Sequence, residues 1–173
     1  MEVVLPALVP GPDGHDVLPP GRWTCTRAEF ESVFIRPDIG VRRKLIEDLD
    51  IYAEQQLKNG LVVTSYWLAG SFVSSKTFPG DIDVTAVIDG SASTPSAGAH
   101  DWMTPKDRWK HHIHPDVGRL LLVDGYSITK VPDTHHGLDD YHRLRGYWDD
   151  WWQRCRVTGA KLARGYAEVV DWL

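Results

Sequence analysis

The sequence predicts an α+β fold, two-layer in outline: a small mixed β-sheet flanked by helices. Three observations carry that prediction. Apolar, β-branched runs of strand length occur at residues 61–68, 81–88, 119–129 and 165–172. Stretches with helical spacing of apolar residues, 39–58 and 138–156, lie between or beside them. The 173-residue chain is also of single-domain length, with 42% hydrophobic and 25% charged residues as in ordinary globular proteins.

Residues 1–22 hold Pro6, Pro10, Pro12, Pro19 and Pro20 and read as an extended arm on the surface, leaving 23–173 as one domain. Thr26 and Glu29 have the spacing of a capping box, with Phe30, Val33 and Phe34 following at helical spacing, so a short helix starts there. Pro37 ends it. In the longer helix of 39–58, Val41, Leu45, Leu49, Tyr52 and Leu57 form an apolar stripe, with Arg42, Arg43, Lys44, Glu47 and Asp48 expected elsewhere. Asn59-Gly60 supplies its stop.

The first strand, 61–68, runs into Gly70-Ser71. A small polar segment with Lys76 and Pro79-Gly80 leads to the second strand at Asp81. Residues 89–104 are Gly-, Ser- and Ala-rich and read as a mobile loop, and 105–112 as one or two helical turns with Pro105 first. The third strand is 119–129. A helix over 138–156 carries Tyr141, Leu144, Trp148, Trp151 or Trp152, and Cys155 at three-to-four spacing, and 165–172 is the last strand.

Net charge is -5, so no global field draws the chain to nucleic acid or anionic membrane. Cys25 and Cys155 are the two cysteines, far apart and without metal-site spacing, which argues against a zinc site or disulfide scaffold. The start of the chain lacks the pattern of a signal peptide, and no apolar run reaches the roughly 18 residues of a membrane span. A cytoplasmic protein is the expectation.

The chemistry concentrates at residues 68–89. Side chains alternate along a strand, so Asp81, Asp83 and Thr85 share one face, the two carboxylates roughly 7 Å apart. That is half of a clamp for Mg²⁺ or Mn²⁺, with substrate phosphate oxygens and water completing the shell. A third carboxylate from a neighbouring strand would complete a two-metal site and could orient or deprotonate the attacking group. Asp124 is the candidate, because it interrupts the apolar run Leu120-Leu121-Leu122-Val123 and would be costly to bury unless paired or metal-bound. Glycine at position 70 allows close backbone approach to a phosphate; the Ser71 hydroxyl, Lys76 and Arg164 are the phosphate-binding candidates. An isolated DxD or Gly-Ser is weak; the ordered set of strand, Gly-Ser, DxD and later Asp is far stronger.

Gly70-Ser71 followed by Asp81-Ile82-Asp83-Val84 resembles the core signature of the DNA polymerase β-like nucleotidyltransferase superfamily, especially its minimal bacterial members. The flanks Leu18-Pro19-Pro20-Gly21, Glu29-Phe30, Arg42-Arg43, Phe72-Val73 and Arg164-Gly165-Tyr166-Ala167-Glu168-Val169 look like a family of small uncharacterised bacterial and phage proteins built on that core. The resemblance implies a polymerase β-like fold, two Mg²⁺ ions, and transfer of a nucleoside monophosphate from an NTP with loss of pyrophosphate. Asp81, Asp83 and Asp124 would bind metal, and Gly70 and Ser71 would hold phosphate. Some minimal members are toxin or antitoxin components that modify a partner protein or tRNA. Phe72-Val73 departs from the antitoxin form, where a basic residue often follows Gly-Ser, and leaves the acceptor class and the retention of catalysis open.

Two alternatives stand beside the transferase: a non-catalytic binding module of the same fold, acting as antitoxin or regulatory partner, and a metal-dependent nuclease or phosphohydrolase using the same carboxylates. His111, His112 and His114 with Asp116, and His135-His136, match no zinc spacing and read as surface histidines at loop ends. The tryptophans of 148–152 read as core, with a stacking platform for a base as the sharper alternative. Arg143, Arg145, Arg154, Arg156, Lys161 and Arg164 form either a basic strip or a solvated helix face.

Overall fold

The computed structural model describes residues 5–35, 40–103, 108–157, 159 and 161–173. The chain begins with two short antiparallel strands, β1 (Val9–Pro10) and β2 (Asp16–Val17), and then β3 (Gly21–Cys25). Helices α1 (Arg27–Phe34) and α2 (Gly40–Lys58) precede β4 (Val63–Ala69). A 3₁₀ turn, Gly70–Phe72, leads towards β5 (Ile82–Asp89). Two short helices, α3 (Ala99–Met103) and α4 (Arg108–His111), separate β5 from β6 (Val123–Lys130). Helix α5 (Leu138–Gln153) and β7 (Gly165–Val169) complete the chain.

The five longer strands form one mixed sheet in the order β3-β7-β4-β5-β6. β3 runs parallel to β7 and β5 parallel to β6, whereas β4 is antiparallel to both of its neighbours. The α+β reading with a mixed sheet and flanking helices therefore holds. This topology has one consequence for chemistry. The end of β4 and the starts of β5, β6 and β7 all fall at the same end of the sheet.

Period-two alternation divides the strands between two cores. Ile82, Val84, Ala86 and Ile88 pack with Phe30, Leu45, Leu49 and Tyr52 of α1 and α2 on one face. Trp67, Ala69, Val87, Ile128 and Tyr166 meet Trp152 of α5 on the other. Each fully buried Leu, Ile or Phe of this set contributes about 1.5–3 kcal/mol.

The expected capping box is present: Glu29 N–H donates to Thr26 Oγ1, and Thr26 N–H to Glu29 Oε2 at 2.7 Å. Helix α2 stops as Asn59-Gly60 predicts. Gly60 has φ +75°, its N–H donates to Leu57 O, and Leu61 N–H donates to Gln56 O.

Several expectations need correction. The arm assigned to 1–22 does not lie wholly on the surface: Val17 and Leu18 are buried, and Gly21-Arg22 already belong to the main sheet beside β7. Pro19-Pro20 hid that strand by breaking the apolar run before it. Residues 89–104 include α3, anchored by Trp102, whose ring lies 6.2 Å from Tyr52. On α2, Arg42 and Asp48 are buried and Leu57 is 59% exposed. Position 48 is inside because Asp48 accepts from Leu122 N–H at 3.0 Å and pairs with Arg119. β6 starts at Val123 rather than at 119, and Arg119 O instead accepts from His114 N–H. Helix α5 ends at Gln153, before the expected 156, because Arg154 is extended and bridges to Leu162. β7 ends at Val169, and Trp172 turns in to pack on Phe30 and Tyr66. Pro37, Pro105 and Thr158 lie outside the described residues. Among the described residues no helix is long and apolar enough to cross a membrane.

Candidate active site

The strand ends deliver the acidic residues. Asp83 is the second residue of β5 and Asp124 the second of β6, directly opposite each other in the parallel pair; Ala69, the last residue of β4, lies opposite Asp83 on its other side. Asp81 immediately precedes β5. The three carboxylates, 43 positions apart at the extremes, meet because both strands start at this end.

Gly70 is fitted to Asp83. Its φ is +69°, and a Cβ built there would lie 1.7 Å from Asp83 Oδ2. Only a residue without a side chain lets the Gly-Ser turn close over this carboxylate. Gly70→Ala is therefore expected to cost about 2–4 kcal/mol, from left-handed backbone strain plus displacement of Asp83. A thermal melt with a parallel metal-binding titration checks it; an unchanged titration would contradict this fit.

The segment after Gly70 is held from two sides. Arg42, 3% exposed, donates through Nη1 to Phe34 O (3.2 Å) and Phe72 O (2.7 Å), and through Nη2 to Ser74 O (2.7 Å) and Lys76 O (2.6 Å). From the other side, Asp16 N–H donates to Ser75 Oγ at 2.8 Å, and Ser75 N–H to Asp16 O at 2.7 Å. A guanidinium fork can satisfy four carbonyls that a lysine cannot. The N-terminal segment is thus part of the scaffold that places Ser71 and Lys76.

These elements enclose a cleft of about 610 Å³, within the size range of ligand sites. Gly70, Ser71, Lys76, Asp81, Asp83, Asp124 and Arg164, all seven residues proposed from sequence, line it. Lys110, Arg154, Arg156, Asp13 and Trp151 also line it. Arg164 immediately precedes β7, and its charge opposes the rise in the Asp83 pKa. Among the described residues, its Nε and that of Arg154 are buried without a hydrogen-bond partner. Arg143 is not part of the cleft; it pairs with Asp140 on exposed helix surface.

Lys110 is the principal residue that sequence reasoning missed. Its Nζ donates to Asp81 Oδ2 at 2.9 Å and to Asp124 Oδ2 at 3.1 Å. The expected cost of burying Asp124 alone is thereby offset by a lysine. Burial draws the Lys110 pKa down, but the bonds to Asp81 and Asp124 outweigh it and hold the ammonium above the ordinary lysine range. No spacing distinguishes this lysine from the other basic residues nearby in sequence.

Burial, and then the charges of Asp81 and Asp124, raise the Asp83 carboxyl to about 6, against the opposing pull of Arg164 and Lys110. Burial, the charges of Asp124 and Asp83 and the contact of its hydroxyl with the Asp124 carboxylate push the Tyr126 phenol up to about 12, against the pull of Lys110. Among the described residues, Asp124 Oδ1 is buried without a well-formed hydrogen bond, the Tyr126 hydroxyl being the nearby group that interacts with this carboxylate. A hard oxygen so placed beside two further carboxylates fits an oxygen-loving divalent ion such as Mg²⁺ or Mn²⁺.

The chain belongs to DUF6932, a family of unknown function. The match covers residues 10–170, so it includes β2, every strand of the main sheet and the whole cleft. No curated protein and no solved structure matches this chain.

The remaining candidates resolve differently. Trp152 is core, donating its Nε1–H to Thr85 Oγ1 at 2.9 Å, and Trp148 packs 4.2 Å from Tyr126. Trp151 is half-exposed at the cleft, stacked on Tyr147 with centroids 6.0 Å apart. His114 is not a surface residue: it is buried 4.3 Å from the Trp102 ring, and its Nδ1 accepts from Asp116 N–H. His111 and His112 are exposed, as are His135 and His136. Among the described residues, no group of three or more His, Cys, Asp or Glu stands close enough together to hold a metal ion. Lys110 stands between Asp81 and Asp124 instead.

Proposed function

We propose that this protein is a metal-dependent nucleotidyltransferase that moves a nucleoside monophosphate from an NTP to a protein or RNA acceptor. One observation supports this reading above the others. Four strand ends, remote in sequence, gather three carboxylates, a side-chain-free Gly-Ser turn and Arg164 around a single cleft. Asp81, Asp83 and Asp124 would hold Mg²⁺ or Mn²⁺, which would supply charge neutralisation at the phosphates and activate the attacking oxygen.

The chain's own residues have separable tasks. Arg164, whose buried Nε–H has no partner among the described residues, and Lys76 bring positive charge to a triphosphate. The Gly70-Ser71 turn lets phosphate oxygens approach backbone, with the Ser71 hydroxyl as a further donor. The acceptor hydroxyl attacks the α-phosphorus, the bond from that phosphorus to the bridging oxygen breaks, and pyrophosphate leaves. Asp124, whose Oδ1 receives no bond from Lys110, is the base nearest to hand for the released proton. Two buried cysteines, Cys25 and Cys155, that form no disulfide suit a reducing cytoplasm, and a role in toxin–antitoxin or phage-defence systems follows from the resemblance alone.

Incubation with α-labelled NTPs, Mg²⁺, total RNA and total protein tests the reading. Label is expected in an acceptor, with pyrophosphate released, and is expected to vanish in Asp83→Ala. Absence of transfer with all four nucleotides would refute it; release of free nucleotide without an adduct would indicate the phosphohydrolase. One observation favours a second reading, a binding module without catalysis: the Lys110 ammonium already pairs with Asp81 and Asp124.

A further inference from the structure

We propose that Lys110 is a tethered cation that competes with divalent metal for Asp81 and Asp124, so that metal is admitted only when the lysine withdraws. The proposal rests on the reading that these carboxylates hold a metal.

The geometry is that of a ligand bite filled by an ammonium. Asp81 and Asp124 come from two different strand starts, yet one Oδ2 of each converges on the same Nζ, at 2.9 and 3.1 Å. A magnesium ion held by those two oxygens would sit roughly 2.0–2.1 Å from each. It would occupy space within the reach of the ammonium, and two cations that close repel strongly where water is scarce. Water is scarce here: the side chains of Lys110 and Asp124 are 17% and 18% exposed. Metal and ammonium are alternative occupants.

The lysine does not satisfy the whole cluster. It engages one oxygen each of Asp81 and Asp124, and the second oxygen of Asp124, Oδ1, receives no bond from it. A doubly charged ion can therefore gain more from the three carboxylates than the ammonium does. Lys110 is carried by the short helix α4, packed beside β6, rather than by the sheet. It can be displaced without disturbing the register that sets Asp83 against Asp124. The protein would thus be metal-free at low metal supply with its carboxylates held together, and would open when metal arrives with nucleotide.

Mn²⁺ titration of the full chain, followed by loss of the free-ion EPR signal, tests this. Lys110→Met and Lys110→Gln are expected to bind Mn²⁺ at least tenfold more tightly than the wild type. Affinity equal to or weaker than wild type in both variants overturns the proposal while leaving the metal site standing. No Mn²⁺ binding by any of the proteins overturns both the proposal and the metal reading beneath it. A second measurement needs no variant: acetylation of Lys110 in the wild-type protein, read by mass spectrometry, should rise several-fold on adding Mn²⁺, and an unchanged rate overturns the competition.

Discussion

Replacing Asp83 by asparagine is expected to raise the melting temperature of the metal-free protein at pH 7.5 by about 4–10 °C, while abolishing the nucleotidyl transfer proposed above. The stability half of this result follows from burial. Asp83 titrates at about 6, above the ordinary carboxylate value of 3.8, because burial and the charges of Asp81 and Asp124 penalise its ionised form. A raised folded-state pKa means that the native state binds the proton more tightly than the unfolded chain. The associated stabilisation is complete below about pH 3.8, fades as pH rises through about 6, and is absent at neutral pH. At roughly 1.4 kcal/mol per pH unit, the charged form costs the fold about 3 kcal/mol at most.

Asparagine removes that cost at pH 7.5 and has nothing to remove near pH 4, so the gain in melting temperature should disappear on acidification. Calorimetry of both proteins in chelator at the two pH values checks the pattern. A destabilised Asp83→Asn at pH 7.5 would contradict it. A side chain that weakens the fold unless a cation is present is the signature of a functional site rather than of a structural ion pair.

Arg42→Met is expected to cost about 3–5 kcal/mol and to lower the melting temperature by about 6–20 °C. The loss has little to do with surface charge, since Arg42 is buried over the Phe72 ring, 5.2 Å from its centroid. Four carbonyls would lose their donor, those of Phe72, Ser74 and Lys76 within the segment that follows Gly70. Nucleotide affinity should fall along with stability, because Ser71 and Lys76 lose their mooring. Hydrogen exchange at 72–76 should quicken beyond the global change. A variant melting within 2 °C of the wild type would remove Arg42 from this role.

Much of the site was legible because strand alternation and register are simple rules. A two-residue period put Asp81, Asp83 and Thr85 on one face, and an Asp interrupting an apolar run pointed to a special partner for Asp124. What sequence could not supply was the identity of that partner. Lys110 reaches Asp124 from a four-residue helix with no amphipathic pattern, and only tertiary packing selects it. Arg42 and Asp48 were misplaced for a related reason. Helical periodicity treats charged residues as solvent-facing, yet a guanidinium can bury itself on carbonyls and a carboxylate on an N–H and an arginine.

The flanking motifs also gain a physical meaning. Thr26 and Glu29 cap a helix, while Glu168 accepts from Ser65 Oγ and Trp67 Nε1, each at 3.0 Å, and pairs with Arg22. They fasten β3, β7 and β4 together. These flanking residues therefore serve the scaffold, whereas Gly70, Asp81, Asp83 and Asp124 line the cleft.

The most direct test is a crystal soaked in Mn²⁺ with a non-hydrolysable ATP analogue and examined by anomalous scattering. The account predicts a Mn²⁺ peak bridging Asp81, Asp83 and Asp124, the Lys110 ammonium withdrawn from Asp81 and Asp124, and the triphosphate against Gly70-Ser71 and Arg164. A bound analogue with no anomalous peak among the three carboxylates, and Lys110 still bridging Asp81 and Asp124, would contradict it.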